Sequence, residues 1–158
     1  AAFDMKIVYY DPYLPEGHDL SLGYERVRSL EALLGQSDVV SLHVPLSANT
    51  REMMGAREFA AMKPDAFFIN TCRGPVHDES ALIEALNTGE ILGAGLDVTE
   101  IEPTPLDTPL LNMDNVVLTP HIAGSSQERI DRALVFSFEN ARRALSGGTL
   151  ENPVEVLD

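Results

Sequence analysis

The apolar residues of this chain fall in short runs, and most runs end on a residue that carries chemistry. Residues 6–10 (KIVYY) read as a strand closed by Asp11-Pro12. A loop rich in Pro and Gly follows to about Gly23. Ser29 suits the N-cap of a helix over Leu30–Leu34, stopped at Gly35. Residues 38–44 are a second predicted strand, ended by Pro45, and 50–62 hold one or two short helices before Lys63-Pro64. Residues 66–71 are a third strand. A helix over 78–86 takes Asp78 as its cap and has Gly89 past its end. Residues 91–98 contain a fourth strand, and 116–119 form a fifth, very short one. Over 126–145, Ile130, Leu134, Phe138, Ala141 and Leu145 recur at helical spacing, and Gly147-Gly148 stops that helix.

Strand and helix alternate, which predicts an α/β fold with a mostly parallel sheet. The strands are near-continuous apolar runs, as strands buried on both faces would be. Ligands of such sheets bind beyond the carboxyl ends of the strands. That rule gathers Asp11, His43-Val44-Pro45, Thr71-Cys72-Arg73, Asp97 and Thr119-Pro120-His121 along one edge. The stretch AFFINTCRGPV (66–76) shows the pattern most sharply, because an arginine stands where a buried strand runs into a Gly-Pro turn.

Taken singly, these residues keep two readings. Asp11-Pro12 opens a turn, or Asp11 accepts both ribose hydroxyls of an adenine nucleotide and repels a 2′-phosphate, which favours NAD over NADP. Arg73 caps a surface loop, or its forked donors hold a carboxylate. His121 reads as a satisfied histidine, Glu102 as a loop charge, Asp97 as a loop cap and Cys72 as a small space-filler. His18 and His77 have no partner that the sequence names. Gly93-Ala94-Gly95 begins like a dinucleotide-binding loop, but it lacks the third glycine and lies within a strand.

Composition narrows the classes. The length of 158 residues suits one domain with a real core. No apolar run is long enough for a membrane-spanning helix. The single cysteine excludes an internal disulfide framework and suits a reducing, cytoplasmic setting. The net charge of -14 argues against nucleic acid as the main partner. Nothing near Cys72 reads as a metal-ligand set.

The segments SLHVPLSANTREMM (41–54), INTCRGPVHDESALIEAL (69–86), GAGLDVTEIEPTPLDTPLL (93–111) and LTPHIAG (118–124) together resemble the NAD-dependent D-2-hydroxyacid dehydrogenase family, in order and spacing. The resemblance implies an incomplete Rossmann-like, doubly wound parallel sheet. It implies hydride transfer between NAD(H) and a small 2-hydroxy or 2-oxo acid. Arg73 matches the arginine that holds the substrate carboxylate and polarises the keto oxygen. His121 matches the general acid/base, and Glu102 the carboxylate that pairs with it. Asp97 matches the residue beside the nicotinamide and Asp11 the ribose-binding acid. Further cofactor contacts are implied at His43, Pro45, Thr50, Thr71, Cys72, Arg73, His121, Ala123 and Gly124. A homodimer is expected by analogy.

The chain also departs from the pattern. Cys72 and Pro75 vary the commoner Ala-Arg-Gly-Gly form, and Ser125-Ser126 vary a loop near the nicotinamide. No G-x-G-x-x-G occurs in the 158 residues, and the family's substrate domain and first nucleotide-binding strand have no counterpart. AAFDMK (1–6) resembles the end of the helix that the glycine loop begins. The expectation is a C-terminal part of a longer protein: 1–146 as a partial NAD-binding domain and 147–158 returning toward the substrate domain. The tail Asn152-Pro153-Val154 resembles that crossing segment. The absent strand would lie between 6–10 and 38–44, leaving two open edges in mid-sheet. Two other readings stay open: an NAD(H)-sensing corepressor-like relative, which DPYLPEG (11–17) mildly resembles, and an inactive fragment. Related formate dehydrogenases carry glutamine where Glu102 stands.

Overall fold

The computed structural model describes residues 4–15, 17 and 23–153. The expectations for AAF at the start, for His18 and for Val154 lie outside them. The chain forms two compact units, Ala1–His121 and Ile122–Asp158.

The first unit holds β1 (Val8–Tyr9), β2 (Glu25–Arg26), α1 (Leu30–Leu34), β3 (Val39–Leu42), α2 (Ala56–Ala60), β4 (Phe67–Asn70), α3 (Glu79–Thr88), β5 (Gly93–Leu96) and β6 (Val116–Leu118). Short 3-10 turns occupy Gly74–Val76 and Pro109–Asn112. Every strand pairing is parallel, and the strands form a two-stranded sheet, β1-β2, and a four-stranded sheet, β3-β4-β5-β6. This is an α/β fold of Rossmann type. β1 and β3 do not pair with each other, as the sequence leads one to expect. β2 has no signal in the sequence, being two residues long and polar.

The expectation that the strands are buried on both faces is corrected. Val40, Leu42, Phe68, Asn70, Ala94 and Leu96 face the core, whereas Val39, Phe67 and Val117 are exposed on the opposite face. The covering residues all lie on one side: Leu34 of α1, Phe59 of α2 with Met62 just beyond it, and Leu82, Ala85 and Leu86 of α3 form one cluster with the sheet. Phe59 stands edge-on to Phe68, with ring centroids 5.2 Å apart.

Local chemistry sets the helix ends. The Ser29 hydroxyl accepts from the Ala32 amide at 3.1 Å, and the Asp78 carboxylate from the Ala81 amide at 3.0 Å. Gly89 closes α3 in the left-handed conformation, φ 75°. The Gly93-Ala94-Gly95 run is strand, as expected. A Cβ at Gly93 would lie 2.8 Å from the Asn115 carbonyl, and one at Gly95 2.9 Å from Ile69 Cδ1. Both glycines therefore serve close packing within the sheet.

The second unit contains α4 (Gln127–Leu145), capped by Ser126, whose hydroxyl accepts from the Arg129 amide at 3.2 Å. Ile130, Leu134, Phe138 and Leu145 are exposed. Asn140 holds the returning chain through two hydrogen bonds with the Glu151 backbone, at 2.9 and 3.0 Å.

Candidate active site

The register of the larger sheet builds an edge. Leu42, Asn70, Leu96 and Leu118 are aligned partners across β3, β4, β5 and β6. His43, Thr71, Asp97 and Thr119 therefore stand one residue beyond them, in line at the carboxyl ends. Three strand spacings of about 4.8 Å give this row a length of roughly 14 Å. Such a row suits an extended ligand.

His121 and Glu102 meet at this edge. The His121 imidazole donates from Nδ1 to Glu102 Oε2 at 2.8 Å, which leaves Nε2 as the ring's other proton-exchanging atom. Both side chains are about two-fifths exposed. His121 adopts φ 54°, a left-handed conformation uncommon outside glycine, and its amide donates to the Thr119 carbonyl at 3.0 Å. The other oxygen of Glu102 accepts from the Thr99 amide at 3.3 Å. Asp97 is buried, and its Oδ1 accepts from the Thr119 hydroxyl at 2.6 Å. That bond ties the end of β5 to the end of β6.

Arg73 comes from the end of β4. Its side chain is exposed, and its Nη1 donates to the Cys72 carbonyl at 2.6 Å. No carboxylate pairs with it among the described residues. Gly74 joins this arginine to the Glu102 loop. A Cβ built on Gly74 would lie 1.8 Å from the Thr99 carbonyl oxygen, so only glycine permits this backbone contact. Glu79, in the first turn of α3, accepts from the Glu100 amide at 2.9 Å and holds the same loop.

The remaining expected residues divide. The Thr50 hydroxyl donates to the Pro45 carbonyl at 2.6 Å and accepts from the Ser47 amide at 2.8 Å, so it closes the 45–50 turn. His43 Nε2 bonds the Ser41 hydroxyl at 2.9 Å. Cys72 is half-buried, and its thiol donates to Asn70 Oδ1 at 3.1 Å. Asp11 lies past β1, on the smaller sheet, where its carboxylate accepts from the Tyr13 amide at 2.9 Å. Ala123 and Gly124 belong to the second unit, in which the Gly124 carbonyl accepts from Arg129 at 2.7 Å.

Sequence reasoning missed Asn70, His77, Gly74, Thr99 and Glu79. His77 does have a partner: its Nδ1 lies 3.0 Å from Asn70 Nδ2, with both residues fully buried. Burial pushes the His77 pKa down from its ordinary 6.5 to about 4, against a smaller opposing pull from Asp78. Among the described residues, no group of three or more His, Cys, Asp and Glu could hold a metal ion, and no helix is long and apolar enough to cross a membrane.

The model of the D-isomer specific 2-hydroxyacid dehydrogenase NAD binding domain matches residues 1–123. The chain belongs to this dehydrogenase family. D-3-phosphoglycerate dehydrogenase of Methanocaldococcus jannaschii is 43% identical over 155 residues, which are 98% of this chain and 29% of that protein. Glyoxylate reductase of Korarchaeum cryptofilum is 49% identical over 138 residues, 87% of this chain and 41% of that protein. The solved D-lactate dehydrogenase of Lactobacillus jensenii with NAD+ superposes with a TM-score of 0.85 at 29% identity, over 98% of this chain and 50% of that one. The chain thus spans half or less of each of these relatives.

Proposed function

We propose that this chain is the nucleotide-binding part of an NAD-dependent D-2-hydroxyacid dehydrogenase that acts on a small 2-hydroxy or 2-oxo acid. The observation that carries the reading is the His121–Glu102 hydrogen bond at the carboxyl-end row of a parallel sheet. Arg73 Nη and Nε donors grip the substrate carboxylate and draw charge onto the adjacent keto oxygen. His121 Nε2 takes the hydroxyl proton in oxidation and returns it in reduction. Glu102 fixes the ring orientation through Nδ1 and stabilises the charged imidazole. Asp97 and Thr119 hold the row against which the cofactor lies, and Asp11 accepts the ribose hydroxyls. His43, Pro45, Thr50, Thr71 and Cys72 complete the cofactor-binding set of the first unit. NAD supplies the hydride acceptor and donor chemistry.

The same reading assigns 1–146 to the nucleotide-binding domain and 147–158 to the return toward a substrate domain. It carries a homodimer and a cytoplasmic setting by analogy alone. The test uses the full-length protein with NADH and a panel of glyoxylate, hydroxypyruvate, lactate's oxo acid and phosphoglycerate's oxo acid. The expected result is turnover of at least one, abolished by His121→Asn and with KM for the oxo acid sharply raised by Arg73→Ala. NADH binding with no turnover of any panel member would overturn the reading in favour of a nucleotide-sensing protein.

A further inference from the structure

Beneath the Arg73 turn lies a buried polar pair that the proposed chemistry leaves unused. Asn70 is the last residue of β4, and His77 follows the 3-10 turn that leads into α3; neither exposes any surface. All of the Asn70 amide is committed. Its Oδ1 accepts from the Cys72 backbone amide at 2.9 Å and from the Cys72 thiol at 3.1 Å. Its Nδ2 donates to the Arg73 carbonyl at 3.0 Å and bonds His77 Nδ1 at 3.0 Å.

These contacts fix the protons. A backbone amide can only donate, so the oxygen of Asn70 must face Cys72. The NH2 group then faces Arg73 and His77, and Nδ1 of His77 must accept. His77 is therefore neutral, with its proton on Nε2. Its depressed pKa agrees with that state. The ring is held edge-on to Phe68, with centroids 5.6 Å apart, and the His77 amide donates to the Gly74 carbonyl at 3.0 Å. Without the Nδ1 acceptor, one N–H of the Asn70 amide would be buried and unpaired. The amide would then have reason to rotate away from the backbone groups it clamps.

We propose that His77 is a positioning residue for Arg73: through Asn70 it sets the backbone of the Cys72–Arg73 turn and so the direction in which the guanidinium meets the substrate carboxylate. The inference rests on the reading of Arg73 given above. The guanidinium itself folds onto the Cys72 carbonyl, so the same turn governs both its backbone and its side chain.

The test compares His77→Leu, which keeps bulk but offers no acceptor, with His77→Asn, whose amide oxygen can stand near the Nδ1 position. Both are made in the full-length enzyme and assayed with NADH and glyoxylate. His77→Leu is expected to lower kcat/KM for glyoxylate by roughly 10- to 100-fold, mainly through KM, and to leave KM for NADH within about twofold. His77→Asn is expected to recover most of that loss. In the Arg73→Ala background, His77→Leu should add nothing. Equal losses for glyoxylate and NADH, or no recovery with His77→Asn, would overturn the proposal. If Arg73→Ala itself leaves KM for glyoxylate unchanged, the reading of Arg73 fails instead. Nitrogen NMR of the wild-type imidazole decides the matter even if His77→Leu does not fold. A proton on Nε2 of His77 supports the proposal, and a proton on Nδ1 refutes it.

Discussion

Acid should destabilise this fold through one residue by an amount that can be isolated. His77 has an ordinary pKa of 6.5 when unfolded and about 4 when folded, chiefly because it is buried. The sign follows directly. Above the unfolded value both states are neutral and full stability is present. As pH falls from 6.5 toward 4, the unfolded histidine takes a proton that the folded one refuses, and stability is lost. Each pH unit costs about 1.4 kcal/mol, so the fall from 6.5 to about 4 amounts to roughly 3 to 4 kcal/mol, a large share of a typical domain's stability. By about pH 4.5 most of this has gone. The assay is urea denaturation followed by circular dichroism at several pH values, on the wild type and on His77→Asn. The chain carries 25 Asp and Glu, whose titration affects both proteins alike, and the difference between the two curves belongs to His77. The wild type should lose stability more steeply than the variant between pH 6.5 and about 4, and run parallel to it above pH 7. Parallel curves throughout would refute the argument that burial and Asn70 hold this histidine neutral.

Three further outcomes are expected. Gly74→Ala should lower the thermal midpoint and the activity together, because its methyl group would fall 1.8 Å from the Thr99 carbonyl; overpacking of this kind costs about 1–3 kcal/mol, and an unchanged midpoint would show that the loop yields freely. Glu102→Gln should lower kcat about 10- to 100-fold with little change in KM for NADH, since it removes the ionised partner 2.8 Å from His121; steady-state kinetics with the oxo-acid panel check this. If Asp11 is the ribose-binding acid proposed above, Asp11→Ser should raise the ratio of NADPH to NADH use at least severalfold by removing a carboxylate that would repel a 2′-phosphate, as measured by kcat/KM for each cofactor.

The parts of the fold that were legible in the sequence are those where a local rule acts alone. Ser29 and Asp78 were readable as caps because an N-cap needs only its own oxygen and an amide three residues on. The glycine pair of β5 was readable as strand because the third glycine of a phosphate loop was missing. Which face of the sheet is covered was not readable. Val39-Val40 and Phe67-Phe68 put equivalent apolar residues on opposite faces, so the alternation that would mark an open face is absent. The polar support of the site was less legible still. Asn70 and His77 are seven residues apart, one ending a strand and one opening the way to a helix, and their bond exists only because the Gly-Pro turn doubles back. Likewise, His121 and Glu102 are 19 residues apart, and nothing in their spacing implies contact. Family resemblance supplied that pair, and the same resemblance was silent on His77.

The order in which these residues are placed explains why contacts between their loops matter here. Arg73 leaves the end of β4, whereas Glu102 and His121 stand after β5 and β6. Side chains from three strand ends would drift independently if each rested on its own loop. Instead, the Gly74 backbone lies against the Thr99 carbonyl, the Thr99 amide donates to Glu102, and Glu102 accepts from His121. Glu79 holds the Glu100 amide from α3, and α3 begins at Asp78, next to His77. The carboxylate-gripping side and the proton-transfer side of the proposed site are thus joined by one connected set of contacts, in which the Glu79 and Glu102 carboxylates link backbone amides and the His121 ring. A disturbance at Gly74 or His77 reaches both sides, whereas a change in an exposed residue of α3 reaches neither. The proposed reaction depends on groups held to a fraction of an ångström, and a Glu102 carboxylate pinned on one oxygen by the Thr99 amide and on the other by the His121 ring has little freedom left to lose.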